Sequence, residues 1–290
     1  MKMKRVFCIG NGESRIGFDL AQLKPYGKIY GCNALYRDFP ELIDVLTAVD
    51  DGIIHEIYRD DFALKKNCYF RNWTKVPASL YETMLQGFCS KQELSIIEDY
   101  DGVHMNERGE SKEFVIQSST VSGEVSILKN TTKEITEKTI DNSQINVSWI
   151  KENDKSHSLK DITTGREDHG WASGPTSAFV ACKIEQPKEI YLIGHDIKSD
   201  NKKINNIYKG TKYYVTPQGE STPYINWVSQ WYTLMDWYPN VKFFKVNKEK
   251  NGMPTNRPIH QWEVWENRGQ LVYLTQAQLI DKLLKNDIIE

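Results

Sequence analysis

The chain has little that would mark a membrane, secreted or metal-cluster protein. No apolar run approaches the roughly 20 residues of a membrane-spanning helix. The first apolar run is broken by Gly10-Asn11-Gly12-Glu13 before it could form a signal-peptide core. Cys8, Cys32, Cys68, Cys89 and Cys182 are scattered and include no CxxC pair, which removes the usual zinc and dithiol spacings. An odd, unpatterned count fits a reducing compartment, and a cytoplasmic location is expected. Charge of neither sign dominates: 37 Lys and Arg against 39 Asp and Glu give a net charge of −2. A broad basic nucleic-acid surface is thereby excluded, and only a local basic groove is left open. Also missing are the Gly-Lys-Ser/Thr of a P-loop, the third glycine of a dinucleotide fingerprint and the Gly-x-Ser-x-Gly of a hydrolase elbow.

What is present is an alternation of strand and helix in a 290-residue chain with an ordinary globular composition. Strands are expected over residues 6–9, 28–32, 45–49 and 67–70, with helical segments over 18–23 and 55–62 and a turn or short helix over 34–39. The pattern returns near residue 170, with helices over 173–184, 224–237 and 276–284 and strands over 189–193 and 241–246. This predicts an α/β fold, a Rossmann-like parallel sheet flanked by helices, formed by residues 1–100 and 166–290. Residues 101–165 are richer in Thr, Ser, Val and Ile, with runs at 113–117 and 124–128, and read as a β-rich insertion or lid. Several tryptophans cluster late (Trp227, Trp231, Trp237, Trp262, Trp265); most such rings are core, and a minority stack on a sugar or base.

Four expected strands end in small or polar residues: Gly10, Asn11 and Gly12; Asn33; Asp50; and Gly194, His195 and Asp196. In an open parallel sheet, ligands bind beyond the carboxyl ends of the strands, so these points converge on one crevice if the strands are neighbours. The turn at Gly10, Asn11 and Gly12, with Ser14 two residues on, suits a phosphate-bearing ligand because exposed amides favour anions. Ser173 and Gly174 open a helix and suit the same role; Ser173 is also the expected N-cap, with Pro175 in the first turn.

In order along the chain, Ile9-Gly10-Asn11-Gly12-Glu13-Ser14, Cys32-Asn33, Ser173-Gly174 and the run from Lys188 to Asp196 resemble the bacterial sialyltransferases that decorate lipooligosaccharides. The resemblance covers about half the chain, in patches. It implies a nucleotide-sugar donor held by Asn11, Asn33, Ser173 and Gly174, and a reaction without a divalent metal or other cofactor. The chain departs from the family pattern at Ala172, where a threonine is expected, and at Ile197 and Lys198, where tyrosines are expected; Tyr208, Tyr213 and Tyr214 follow shortly after. The family's histidine base has no evident counterpart, since residues 216–237 contain no histidine.

Inverting glycosyl transfer requires a base for the acceptor hydroxyl and stabilisation of the leaving phosphate. Asp50 is the first candidate base, His169 the second and His195 the third. Each has an ordinary alternative: a helix cap, a loop residue and a buried hydrogen-bonded histidine. The donor-binding candidates are Gly10, Asn11, Gly12, Ser14, Asn33, Ser173, Gly174, Asp196, Tyr213 and Tyr214. Lys198, Lys202, Lys203, Lys209 and Lys212 either neutralise phosphate or form a solvated loop, and Asp99-Tyr100-Asp101 has the spacing of a metal-binding Asp-x-Asp. The acceptor is a glycan, a small molecule or a hydroxymethylated base in viral DNA, and an oligomer is possible. Two other readings stay open: phosphoryl or pyrophosphoryl transfer on the same scaffold, and a non-catalytic nucleotide-binding protein.

Overall fold

The computed structural model describes residues 4–50, 53, 56–57, 60, 62–71, 75–77, 103–108, 111–116, 147–150, 171–199, 202–221, 224–251, 253–255 and 259–287. The strands in its first half are β1 (Arg5–Ile9), β2 (Lys28–Cys32), β3 (Val45–Ala48), β4 (Asn67–Arg71), β5 (Lys75–Pro77), β6 (Val103–Arg108), β7 (Ser111–Ile116) and β8 (Val147–Ile150). Those in the second half are β9 (Glu189–Ile193), β10 (Lys242–Asn247), β11 (Glu249–Lys250), β12 (Met253–Pro254) and β13 (Leu271–Thr275). The α-helices are α1 (Leu35–Asp38), α2 (Phe62–Lys65), α3 (Ser173–Glu185), α4 (Ile225–Trp237), α5 (Glu263–Asn267) and α6 (Gln276–Asp287). The chain divides into two units, Met1–Asp44 with Lys160–Glu290, and Val45–Leu159.

The first unit holds a parallel sheet in the order β13-β10-β9-β1-β2. From β1 the chain moves outward to β2, then returns to the other side of β1 and continues through β9, β10 and β13. The strand order therefore reverses between β1 and β9, the place where open α/β sheets form ligand crevices. All five residues of β1 and of β9 are buried, as expected of central strands covered on both faces. On one face Phe7, Tyr191 and Phe244 stack in a row, with ring centroids 5.1 and 4.7 Å apart, and Lys282 of α6 lies over Phe244. On the other face α3 packs against β1 and β2 and is backed by α4, where Trp171 and Trp237 stack at 5.1 Å.

Local chemistry explains the helix ends. The Thr275 hydroxyl accepts from the Gln278 N–H at 3.1 Å, and the Gln278 amide oxygen accepts from the Thr275 N–H at 2.9 Å. This reciprocal capping box starts α6 directly from the end of β13. The segment expected as a helix over 18–23 is instead a 3-10 helix, Leu20–Tyr26, capped by the Asp19 carboxylate accepting from the Ala21 N–H at 3.0 Å. Pro25 lies inside it and removes a backbone donor, which favours the short form over a longer α-helix. The run Leu271–Thr275 was not expected as a strand; it pairs along β10 in parallel.

In the second unit β3 pairs with β4 and β4 with β8, all in parallel, and β5, β7 and β6 form a separate antiparallel sheet. Of the runs assigned to a β-rich insertion, 113–117 coincides largely with β7, while 124–128 lies outside the described residues. The window 55–62 lies partly outside them and ends where α2 begins. Among the described residues no helix is long and apolar enough to cross a membrane.

Candidate functional site

At the switch point of the first unit, the turns after β1 and β9 interlock. The Gly10 N–H donates to the Ile193 carbonyl at 2.7 Å and the Gly12 N–H to the Gly194 carbonyl at 2.8 Å. A Cβ at Gly10 would lie 2.5 Å from the Gly194 oxygen; one at Gly12 would lie 2.5 Å from the Asp196 carboxylate. Gly194 has φ +72, a conformation that favours glycine, and faces Gly10 from the other side. The space beside Gly10 and Gly12 is thus filled by the protein's own second turn.

The crevice residues come from four distant segments. The Asn11 amide donates to the Cys32 carbonyl at 3.2 Å and to the Tyr214 hydroxyl at 3.4 Å. The same hydroxyl accepts from the Ala34 N–H at 3.2 Å. Asn33, with φ +50, takes the left-handed conformation that asparagine tolerates best among residues with a side chain, so the turn after β2 needs it for shape. Its amide oxygen accepts from the Ser173 hydroxyl at 2.7 Å. Ser173 is therefore not the N-cap of α3. Ala172 holds that position, and no side chain caps the helix. The amide oxygen of Asn11, a residue 8 % exposed, has no hydrogen-bond partner.

A polar segment lies across the same edge. The Ile207 N–H donates to the Asn11 carbonyl at 2.8 Å, and the Glu13 N–H to the Asn205 amide oxygen at 2.8 Å. Lys209 pairs with Glu13. Buried Arg15 donates to the Gly10 carbonyl at 2.9 Å and to the Tyr208 hydroxyl at 3.1 Å, and Tyr208 in turn donates to Asp38 at 2.7 Å. Arg37 lies 5.8 Å from the Tyr208 ring and 5.7 Å from the Tyr214 ring. Cations stacked on tyrosines, with carbonyls satisfied beneath them, hold this segment against the turn after β1.

Below the turn lie three ionisable groups. His195 is buried, its Nε2 donates to the Cys8 carbonyl at 3.1 Å, and its ring meets Trp231 edge-on at 5.2 Å. A carbonyl takes a proton only from N–H, so Nε2 carries the proton and Nδ1 is the free acceptor, pressed against Gly174. Burial, helped by the positive charge of Lys245, pushes the His195 pKa down to about 3 and keeps the ring neutral. Lys245 is fully buried, and burial lowers its pKa to about 8 while Asp196 opposes the fall. The Asp196 carboxylate accepts from the Ser14 N–H at 2.8 Å, and its other oxygen has no hydrogen-bond partner.

The opposite, amino-terminal edge of the sheet carries a buried carboxylate with three donors. There Glu189 accepts from Arg5 at 3.2 Å, from Tyr191 at 2.7 Å and from Lys282 at 3.0 Å. Burial would raise the Glu189 carboxyl, but the Tyr191 and Lys282 contacts outweigh it and leave the group below its ordinary pKa. Partnerless polar atoms of Asn11, Ser14, Asp196 and Asn247 lie at the carboxyl edge, and others lie in α3 (Ser177) and α5 (Trp265). Such atoms are rare in folded proteins and mark places that expect water or a ligand.

The crevice thus brings together Gly10, Asn11, Gly12, Ser14, Asn33, Ser173, Gly174, His195, Asp196 and Tyr214. Tyr213 is adjacent in sequence but exposed, with Lys212 over its ring at 4.9 Å. Asp50 is exposed and belongs to the second unit, two residues beyond β3. His169, Asp99 and Asp101 lie outside the described residues. Among the described residues no group of three or more His, Cys, Asp and Glu could hold a metal ion. Arg15 and Lys245 escape the sequence reading, and Tyr208 is named there without a site role. Arg15 stands three residues after Gly12, and Lys245 interrupts the apolar run of β10, which was the available signal for it. No family model, curated protein or solved structure matches this chain.

Proposed function

We propose that the first unit binds a nucleotide at the carboxyl edge of its sheet, and that the protein is a glycosyltransferase using a nucleotide-sugar donor. The observation that carries the binding reading is the meeting of Asn11, Asn33, Ser173 and Tyr214 at the strand-order reversal, beside the uncapped N-terminus of α3. Asn11 offers a buried amide oxygen without a partner, suited to a ribose hydroxyl or a base N–H. The α3 N-terminus offers backbone amides and the positive end of a helix dipole, suited to a phosphate. The transfer reading adds the resemblance to the sialyltransferases of lipooligosaccharide synthesis. On that reading transfer is inverting and metal-independent, the fold is Rossmann-like with a β-rich insertion or lid, and the base is Asp50 or His169.

A second reading, nucleotide binding without transfer, is favoured by His195. Its ring is neutral, its N–H is committed to Cys8, and its remaining nitrogen faces Gly174, so it is a poor proton carrier. Thermal-shift measurement against CMP, UDP, GDP and their sugar conjugates, with and without Mg²⁺, separates these readings. A ligand at a hundred times its Kd contributes about 2.7 kcal/mol, a rise in Tm on the order of 5 °C for a chain of this size. Stabilisation without metal is expected, and Asn33→Ala is expected to abolish most of it. Release of the sugar from the stabilising conjugate separates transferase from binder, and no response to any nucleotide overturns both readings.

A further inference from the structure

Gly10 and Gly174 have one neighbour in common. Gly10 follows β1, and Gly174 is the second residue of α3. Neither has a positive φ, so backbone conformation does not call for glycine at either place. Inside a helix glycine is disfavoured against alanine, which makes its presence at position 174 the more telling. What the two positions share is the His195 ring. A Cβ at Gly10 would lie 3.0 Å from His195 Nδ1, and one at Gly174 would lie 2.8 Å from Nδ1 and 2.9 Å from Cε1. Outside its own helix, the next atom from the Gly174 position is Cζ2 of Trp231 at 3.7 Å, an ordinary contact. The ring cannot swing away freely. Its Nε2 donates to the Cys8 carbonyl of β1 at 3.1 Å, and its plane meets Trp231 of α4 edge-on at 5.2 Å. The same helix α4 also holds the start of α3, because the Gln230 amide oxygen accepts from the Ala172 N–H at 3.0 Å.

We propose that His195 is the positioning residue of the crevice: its ring is a spacer wedged between the turn after β1 and the amino end of α3, and it sets their separation to suit one ligand. The role rests on the reading of this crevice as a nucleotide site. The two elements offer different chemistry, the partnerless amide oxygen of Asn11 beside Gly10 and the uncapped helix start at Ser173 and Gly174. A ligand that meets both must find them at one separation, and His195 touches both. Imidazole suits the task, being planar and rigid, with an N–H that fixes its orientation through Cys8. Glycine at 10 and 174 then follows from the spacer, since a Cβ at either would push the ring off its anchor or the elements apart. The task requires no proton transfer, and it accounts for a histidine whose N–H is already committed.

A double-mutant cycle between positions 174 and 195 tests the spacer. Two quantities are read for wild type, Gly174→Ala, His195→Ala and the double variant: the urea midpoint without ligand, and the Kd for CMP, UDP and GDP at a temperature where the protein is folded. Each single variant is expected to weaken nucleotide binding about tenfold. In the His195→Ala background, Gly174→Ala is expected to cost less than about twofold, because the ring that its Cβ would strike is gone. If urea midpoints fall in both single variants while Kd keeps its wild-type value, the ring is ordinary packing and the positioning role is overturned. Equal losses from Gly174→Ala in both backgrounds overturn the contact itself. If His195→Ala does not fold, His195→Gln takes its place in the cycle, with a flexible side chain that can yield to the new Cβ. Failure of both to fold makes His195 a core residue and overturns the proposal. Absence of binding by wild type overturns the crevice reading, and the positioning role with it; the urea midpoints, coupled or additive, then decide the contact alone.

Discussion

Gly10→Ala is expected to destabilise the first unit by about 3 kcal/mol, the upper range for overpacking a close-packed site. The added Cβ would lie 2.5 Å from the Gly194 oxygen, 2.9 Å from its carbonyl carbon and 3.0 Å from the His195 ring. Two of these are backbone atoms of a central strand's turn and cannot swing aside. Relief would require separating the two turns, which breaks the bonds from Gly10 to Ile193 and from Gly12 to Gly194. Gly17→Ala is the matched control: φ is +85, but nothing lies within 4 Å of the new Cβ, so only backbone strain of about 1 kcal/mol is expected. Urea denaturation of both variants, without ligand, measures the difference. If the space beside Gly10 served a ligand alone, Gly10→Ala would match Gly17→Ala in stability and lose only affinity.

That contrast bears on how much of the site was legible in the chain. The strands ending at Ile9, Cys32 and Ile193 and the helix beginning at Ser173 follow from apolar runs closed by Gly, Asn or Ser, signals strong in one dimension. Their convergence follows from the parallel topology, so Asn11, Asn33, Ser173 and Asp196 could be grouped before any coordinates. What each glycine faces could not, because the partner of Gly10 lies 184 residues away and only the sheet register brings Gly194 against it. The strand Leu271–Thr275 escaped because it passes into α6 through a capping box, with no glycine or proline to mark the junction. Lys245 escaped for a different reason. A charge in a strand reads as an outward residue, and only the helices over that face make it an inward one. The place of Tyr214 beside Asn11 was not legible, since nothing local in residues 202–220 distinguishes it from Tyr208 or Tyr213.

Acid is expected to weaken the first unit well before its carboxylates titrate. His195 binds a proton at about pH 3 in the fold, against 6.5 for an ordinary histidine, so between these values the unfolded chain holds more protons than the native one. Stability then rises with pH across the window and falls as pH is lowered through it. Each pH unit carries up to about 1.4 kcal/mol, so the fall from pH 6.5 to 4.5 is roughly 2–3 kcal/mol, a large share of a typical domain's stability. Glu185 and Glu189, whose folded pKa values lie below the ordinary 4.5, begin to add losses as pH approaches 4.5, so the histidine's contribution is cleanest between pH 6.5 and 5.5. His195→Gln keeps an amide donor for the Cys8 carbonyl and removes the titration. Its stability at pH 7.5 is expected to drop, because contact with Trp231 and Gly174 is impaired, while its profile from pH 6.5 to 4.5 flattens. Urea midpoints at pH 7.5, 6.5, 5.5 and 4.5 for both proteins decide the matter. Parallel profiles would mean that the ring accepts protons freely in the fold, and would return His195 to the list of groups able to carry a proton in the crevice.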